Sequence, residues 1–160
     1  MAFVSLYFSL GSNLGDRREN ILEALCRLDE ALGSHWKALS RLIETKPMGF
    51  VGGKFLNGAV LYRIPEGPDP EQQARELLAT VKRIEREMGR LDPPEYDGAG
   101  NRIYHSRIID IDILFLGALR MDTPELTIPH KDIQNRPFVM IPLLEIAKPT
   151  LKATFPEIFD

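Results

Sequence analysis

The run Ile109-Asp110-Ile111-Asp112-Ile113 places two carboxylates two residues apart inside an otherwise apolar stretch, Arg107–Leu116. Side chains alternate faces along a strand, so Asp110 and Asp112 share one face and the isoleucines the other. Aspartate is poorly suited to strands, and two like charges so close repel. A cation between them resolves both difficulties. Hard carboxylate oxygens suit Mg²⁺, which is commonly held by one or two carboxylates while substrate phosphates complete the shell. The competing reading is a solvent-facing strand that carries two acids; the apolar neighbours on both sides favour the metal.

Arginines bracket this pair. Arg107 stands three residues before Asp110, Arg90 just past a helical pattern, and Arg102 in the stretch between them. The planar guanidinium fork suits bidentate phosphate contacts, although any one arginine taken alone is a surface charge. His130 and Arg136 lie in a polar segment beside Pro129 and Pro137, where a histidine serves equally as a structural hydrogen-bonder. His35, His105 and His130 are scattered, and the one cysteine cannot complete a zinc site. No G-x-x-x-x-G-K-[ST] run is present, so a nucleotide would be held without that phosphate cradle. Gly11-Ser12-Asn13 reads as an ordinary strand-to-helix turn. Phe55 and Phe138 read as core residues or, if they line one pocket, as stacking partners for a flat heteroaromatic ring.

The elements that must position these residues follow from periodicity. Residues 3–10 alternate large apolar with small or polar groups and predict a strand ended by Gly11. Asp16 caps a helix whose apolar positions are Ile21, Ala24, Leu25, Leu28 and Leu32, closed by Gly33. A weaker strand over 36–45 leads to a loop through Pro47 and Gly53, then Phe55–Ile64 reads as a strand. Glu71–Met88 is an amphipathic helix with Ala74, Leu77, Leu78, Val81, Ile84 and Met88 on its apolar face. Residues 90–106 show no hydrophobic period and form a long loop. Arg107–Leu116 is the strongest strand, and a last apolar run covers Phe138–Ile146. The order β-α-β-β-α-β predicts an α+β sandwich, a mostly antiparallel sheet with helices on one face.

Composition sets the bounds. A chain of 160 residues fits one domain, 1–160, with 44% hydrophobic and 27% charged residues, ordinary for a globular protein. A net charge of −3 offers no general attraction to nucleic acid or to an anionic membrane, so positive contacts for an anionic ligand must be gathered locally. No apolar stretch approaches the ~20 residues of a membrane span, and Met1–Leu10 lacks the marks of a signal peptide. A cytoplasmic location is expected. Cys26, in a helical pattern with Leu22, Leu25 and Leu28, is expected to be a buried or half-buried thiol.

Taken together, SLGSNLGDR (9–17), ETKPMGF with FLNGAV (44–50 and 55–60), RIEREMGR (83–90), RIIDIDILFLG (107–117) and IPHKDIQNRPFVMIPLLEIA (128–147) resemble the 6-hydroxymethyl-7,8-dihydropterin pyrophosphokinase family over nearly the full length. The resemblance implies a ferredoxin-like α/β sandwich, ATP as co-substrate, two Mg²⁺ ions, and transfer of the β,γ-diphosphate to the pterin in folate biosynthesis, releasing AMP. It also implies a monomer.

By the same resemblance Asp110 and Asp112 bind the metal, Arg90 and Arg107 contact phosphate and join the two acids as catalytic residues, and Glu85, Ile113, Thr127, His130 and Arg136 lie on the ATP side. Asn13, Thr45, Met48, Phe55, Asn57, Asp110 and Phe138 lie on the pterin side, with Phe55 and Phe138 sandwiching the ring. The chain departs from the family pattern at Lys46, Asp92, Tyr104 and Lys131, and its loop 90–106 is expected to act as a lid. Two other readings stay open on the residues alone: a metal-dependent phosphate-transfer enzyme with a different acceptor, and a non-catalytic binding domain of the same fold. The crowded acidic pair counts against the second.

Overall fold

Residues Phe3–Ser12 form the central strand, with a neighbour paired along each side. The structure, a computed structural model, describes residues 2–46, 53–89, 98–100 and 108–160, and the backbone of 95–96 and 102–103. In chain order the elements are β1 (Phe3–Ser12), α1 (Arg17–Leu32), β2 (Ala38–Leu39), β3 (Ile43–Thr45), β4 (Phe55–Pro65), α2 (Pro70–Glu87), β5 (Glu95–Tyr96), β6 (Arg102–Ile103), β7 (Asp110–Leu116), β8 (Met121–Asp122), β9 (Thr127–Ile128), α3 (Pro137–Ile146), α4 (Pro149–Thr154) and α5 (Pro156–Phe159).

The main sheet runs β2-β4-β1-β7, with β3 also paired to β4, and its pairings are antiparallel. Each helical crossover skips one strand: β4 lies between β1 and β2, and β1 between β4 and β7. This is the split β-α-β arrangement of ferredoxin-like folds.

One face is closed by the two long helices. Leu6, Phe8 and Leu10 of β1, Val60, Tyr62 and Ile64 of β4, and Ile111, Ile113 and Leu116 of β7 pack against α1 and α2. The helices supply Ile21, Ala24, Leu25 and Leu28, and Ala74, Leu77, Val81 and Ile84, at helical spacing. Asp16 caps α1 by accepting the Glu19 N–H at 3.2 Å, and Gly33 ends it at φ 66°, a left-handed conformation that glycine adopts without strain. Asp69 caps α2 before Pro70.

The sequence order accounts for that helical layer; the chain adds a second on the opposite face. Val139 and Leu143 of α3, Leu151 of α4 and Phe155 cover Tyr7, Ala59, Leu61, Leu114 and Phe115. The Tyr7 hydroxyl accepts the Lys148 N–H at 3.2 Å, fixing the start of α4. The last apolar run is therefore helix α3, begun by Pro137 and carrying Pro142 inside it. Pro142 has no N–H to give the carbonyl one turn back.

Other expectations shift in detail. β1 continues through Ser12 because Gly11 pairs on both sides, with Asn57 and with Asp110. The strand expected over 36–45 is two pieces, broken where the Ser40 hydroxyl accepts the Ala59 N–H at 2.8 Å. Cys26 is exposed, not buried: it lies one turn beyond Leu22, itself 38% exposed, on the outward side of α1. The strand expected from Arg107 begins at Asp110, and Arg107 lies outside the described residues. Among the described residues no helix is long and apolar enough to cross a membrane.

Candidate active site

The apolar layer under α3–α5 stops at Ala59 and Leu114. Beyond those positions the same face of the sheet turns polar. Register sets the arrangement: Asp112 lies opposite Ser9, which lies opposite Ala59, and Asp110 lies opposite Gly11, which lies opposite Asn57. Directly paired residues in an antiparallel sheet project to one side. Two acids thus stand along one edge of a floor of small residues, with a buried amide at its other edge. The isoleucines that alternate with them are buried in the first core.

Gly11 is required by close approach. A Cβ there would lie 2.9 Å from Asn57 Oδ1 and 3.5 Å from Phe55 Cδ1. The Asn57 amide cannot easily retreat, because its Nδ2 donates to Thr45 Oγ1 at 2.6 Å. Asn57, Thr45 and Phe55 therefore form one connected wall.

The turn after β1 is held by side chains of its own segment and its helix. Asn20 Nδ2 donates to Ser12 Oγ at 3.2 Å and to the Leu14 carbonyl at 2.8 Å. Gly15 takes φ 67°, where a side chain would be strained. Asn13, buried, donates from Nδ2 to the Gly53 carbonyl at 3.2 Å. SLGSNLGDR is thus more than an ordinary turn: it carries the floor, a link to the residues before β4, and the cap of α1.

On the acidic side, Glu85 of α2 is buried, and its Oε2 accepts the Ile111 N–H at 2.9 Å. It fixes the strand between the two aspartates. His130 follows the cis Ile128–Pro129 bond and donates its backbone N–H to the Leu114 carbonyl at 3.1 Å. Its Nδ1 accepts the Asp132 N–H at 3.2 Å, which leaves Nε2 as the protonated nitrogen of the neutral ring. Nε2 lies 4.0 Å from Asp112 Oδ1. Burial, then the nearby positive charge of Arg136, lowers the His130 pKa below its ordinary value, while Asp132 and Asp110 pull it back up. Arg136 pairs with Asp132 at 3.1 Å, and its guanidinium lies 5.9 Å from the centre of the Phe138 ring.

The residues expected from the sequence sort as follows. Asp110, Asp112, Asn57, Thr45 and Phe55 come together on the polar end of the face, with His130 beside Asp112. Asn13 sits at the turn beside it. Phe138, in the first turn of α3, is half-buried against the second core. Ile113 points into the first core, so only its backbone is available to a ligand. Thr127 directs its hydroxyl to Asp122 at 3.3 Å within the β8–β9 hairpin. Met48, Arg90, Asp92, Tyr104 and Arg107 lie outside the described residues, as do the side chain of Arg102 and most of loop 90–106. Sequence reasoning missed Ser9, Gly11 and Asp132. The first two had a signal: they are the small members of the alternation in Phe3–Ser12.

A ferredoxin-like α+β sheet thus carries acids, an amide and the ring of Phe55 at the polar end of one face. A family model described as 7,8-dihydro-6-hydroxymethylpterin-pyrophosphokinase matches residues 7–148. The chain belongs to that family. It is 38% identical over 144 residues to a 2-amino-4-hydroxy-6-hydroxymethyldihydropteridine pyrophosphokinase of Porphyromonas gingivalis, covering 89% of this chain and 90% of the relative. It is 35% identical over 143 residues to the protein of that name from Aquifex aeolicus, covering 89% and 79%. It is also 43% identical over 139 residues to the mitochondrial folate synthesis bifunctional protein of Pisum sativum, covering 86% of this chain and 24% of that relative. The chain thus spans about a quarter of the length of the pea protein.

Proposed function

We propose that this chain transfers the β,γ-diphosphate of ATP to the hydroxymethyl oxygen of 6-hydroxymethyl-7,8-dihydropterin, releasing AMP, with two Mg²⁺ ions held at Asp110 and Asp112. The observation that carries the reading is the register of β7 against β1, which sets both carboxylates on the polar end of the face beside Ser9 and Gly11.

The donor set fits the metal. Both acids are half-buried, with the Asp112 side chain 35% exposed. Among the described residues no group of three His, Cys, Asp or Glu side chains gathers around one point. Two carboxylate oxygens supplemented by phosphate and water are a common Mg²⁺ environment, since that ion keeps several waters and binds substrate phosphates. When bound, it would neutralise charge on the phosphate oxygens and help align the β-phosphorus.

The chain's own residues do the rest. The floor at Ser9 and Gly11 leaves room for the acceptor beside the acids. Thr45, Asn57 and Asn13 offer polar groups to the edge of a pterin ring, and Phe55 and Phe138 offer faces to its plane. His130 Nε2–H is set to donate to a phosphate oxygen, and Arg136 adds positive charge on the same side; Arg90 and Arg107 are further phosphate contacts in this reading. Glu85 holds the strand that carries the acids. In the transfer the hydroxymethyl oxygen bonds to the β-phosphorus, and the bond from that phosphorus to the oxygen bridging the α-phosphate breaks. That oxygen leaves with AMP, and the hydroxyl proton passes to solvent.

The test is AMP release from ATP and Mg²⁺ with and without 6-hydroxymethyl-7,8-dihydropterin. Pterin-dependent AMP is expected. Formation of ADP, or no nucleotide product at saturating pterin, would overturn the reading.

A further inference from the structure

Arg17 opens α1 directly after its Asp16 cap, although a cation in the first turn opposes the positive end of the helix dipole. Its side chain, 29% exposed, reaches away from the helix. One terminal nitrogen donates to the Lys54 carbonyl at 2.9 Å, and the other to Glu44 Oε1 at 2.7 Å. Four residues earlier, Asn13 donates to the Gly53 carbonyl. The turn after β1 therefore grips both flanks of the β3–β4 connection: Glu44 as the chain leaves β3, and Gly53 and Lys54 as it enters β4. The next residue on each flank is Thr45 or Phe55, and both border Asn57 in the wall described above.

Stability alone does not explain this arrangement. Half of the Glu44 side chain is exposed, and surface ion pairs of this kind add little to stability. What the arrangement does supply is geometry. A planar fork reaches acceptors on two separate segments at once, which a lysine ammonium, a single point charge, cannot reproduce. Arg17 also holds the Glu44 carboxyl below the usual carboxylate range, through the hydrogen bond first and charge second.

We infer that Arg17 is a positioning residue for the pterin acceptor: its bridge from Glu44 to Lys54 sets the spacing of Thr45 and Phe55 about Asn57, and with it pterin affinity. The inference rests on the pyrophosphokinase reading above. It makes the first turn of the chain a determinant of acceptor binding and leaves nucleotide binding to the acidic side.

The experiment uses the whole chain and measures AMP release and direct pterin titration for wild type, Arg17→Ala, Arg17→Lys and Glu44→Ala, with thermal unfolding alongside. Arg17→Ala is expected to raise the pterin KM and Kd at least about tenfold, as small misplacements of binding groups do. Its kcat and ATP KM should stay within about twofold, the pattern of lost acceptor binding. Arg17→Lys should recover part of the loss, and Glu44→Ala should shift pterin binding in the same direction by less. An equal rise in both KM values, a fall in kcat at unchanged pterin KM, or no change overturns the inference. If Arg17→Ala does not fold, Glu44→Ala decides, and unchanged pterin affinity there overturns it. Absence of pterin-dependent AMP from wild type would overturn the functional reading instead, while the titration would still report on Arg17.

Discussion

The two faces of the sheet are closed by different means. On one, α1 and α2 lay regular apolar stripes along three strands, and the resulting core runs from Leu6 and Leu116 at one end to Leu10 and Ile111 near the other. On the opposite face α3, α4 and α5 are short, α3 is apolar on nearly every side, and the apolar cover reaches only part of the strands. The remainder of that face carries the acids, the amides and the small floor. The first face is therefore given over to packing, while the second divides its length between a core and the polar site. The same strands serve both, because alternate residues answer to different requirements.

The sharpest way to break the comparison is at Asp112. Asp112→Asn should cut turnover at least about a thousandfold, through lost metal binding. Near-normal AMP release would remove Asp112 from the metal site.

Next in size are matched core truncations. Leu28→Ala and Leu143→Ala each remove a fully buried leucine, one per face, and each should cost about 2–5 kcal/mol in chemical unfolding. Only Leu143→Ala should also raise the pterin KM, because α3 carries Phe138. Equal kinetic effects from the two would erase the division by face.

Gly11→Ala tests the floor itself. The added methyl must displace an Asn57 amide already held by Thr45, which should cost about 1–3 kcal/mol of stability. Pterin binding should weaken more than ATP binding, as read by titration of each ligand.

The smallest effect belongs to the first face alone. Tyr62 donates to Asp29 Oδ1 at 2.5 Å, and burial followed by that hydrogen bond pushes its ionisation well above the usual tyrosine range. Above about pH 10 the unfolded chain releases this proton while the native chain retains it, so native stability falls as pH rises. Tyr62→Phe should cost about 1–3 kcal/mol at neutral pH. It should also flatten the alkaline decline in stability, with kinetics unchanged.

The first face was largely legible in the sequence, because α1 and α2 announce themselves by period, cap and stop. The acids were legible for the opposite reason: they break the rule for an apolar strand. Helix α3 was hard to read because Pro142 interrupts it and its uniform apolarity leaves no period to detect. Ser9 and Gly11 were visible only as small residues in an alternation, and their use as a floor depends on pairing with distant strands. Arg17 resembled any surface charge, since its partners lie 27 and 37 residues away. Burial of Cys26 was misjudged because it sits one position past the inward-facing Leu25. Local pattern gives the elements; partners far along the chain give the wall and its supports.

The pairing of β7 with β1 skips a residue, Tyr7 facing Phe115 and Phe8 facing Ile113, so Leu114 is an extra residue in the strand. Leu114 and Phe115 consequently both enter the second core, while Ile113 and Leu116 enter the first. The bulge works as a phase shifter between the carboxylate half of β7 and its hydrophobic half. Deleting Leu114 would restore strict alternation with Phe115 still opposite Tyr7 and Leu116 still opposite Leu6, and would leave Asp110 and Asp112 where they are, at the cost of one leucine from the second core. The side taken by the two acids is thus settled by their pairing with Ser9 and Gly11, ahead of the bulge, and does not depend on the phase of the packing residues that follow it.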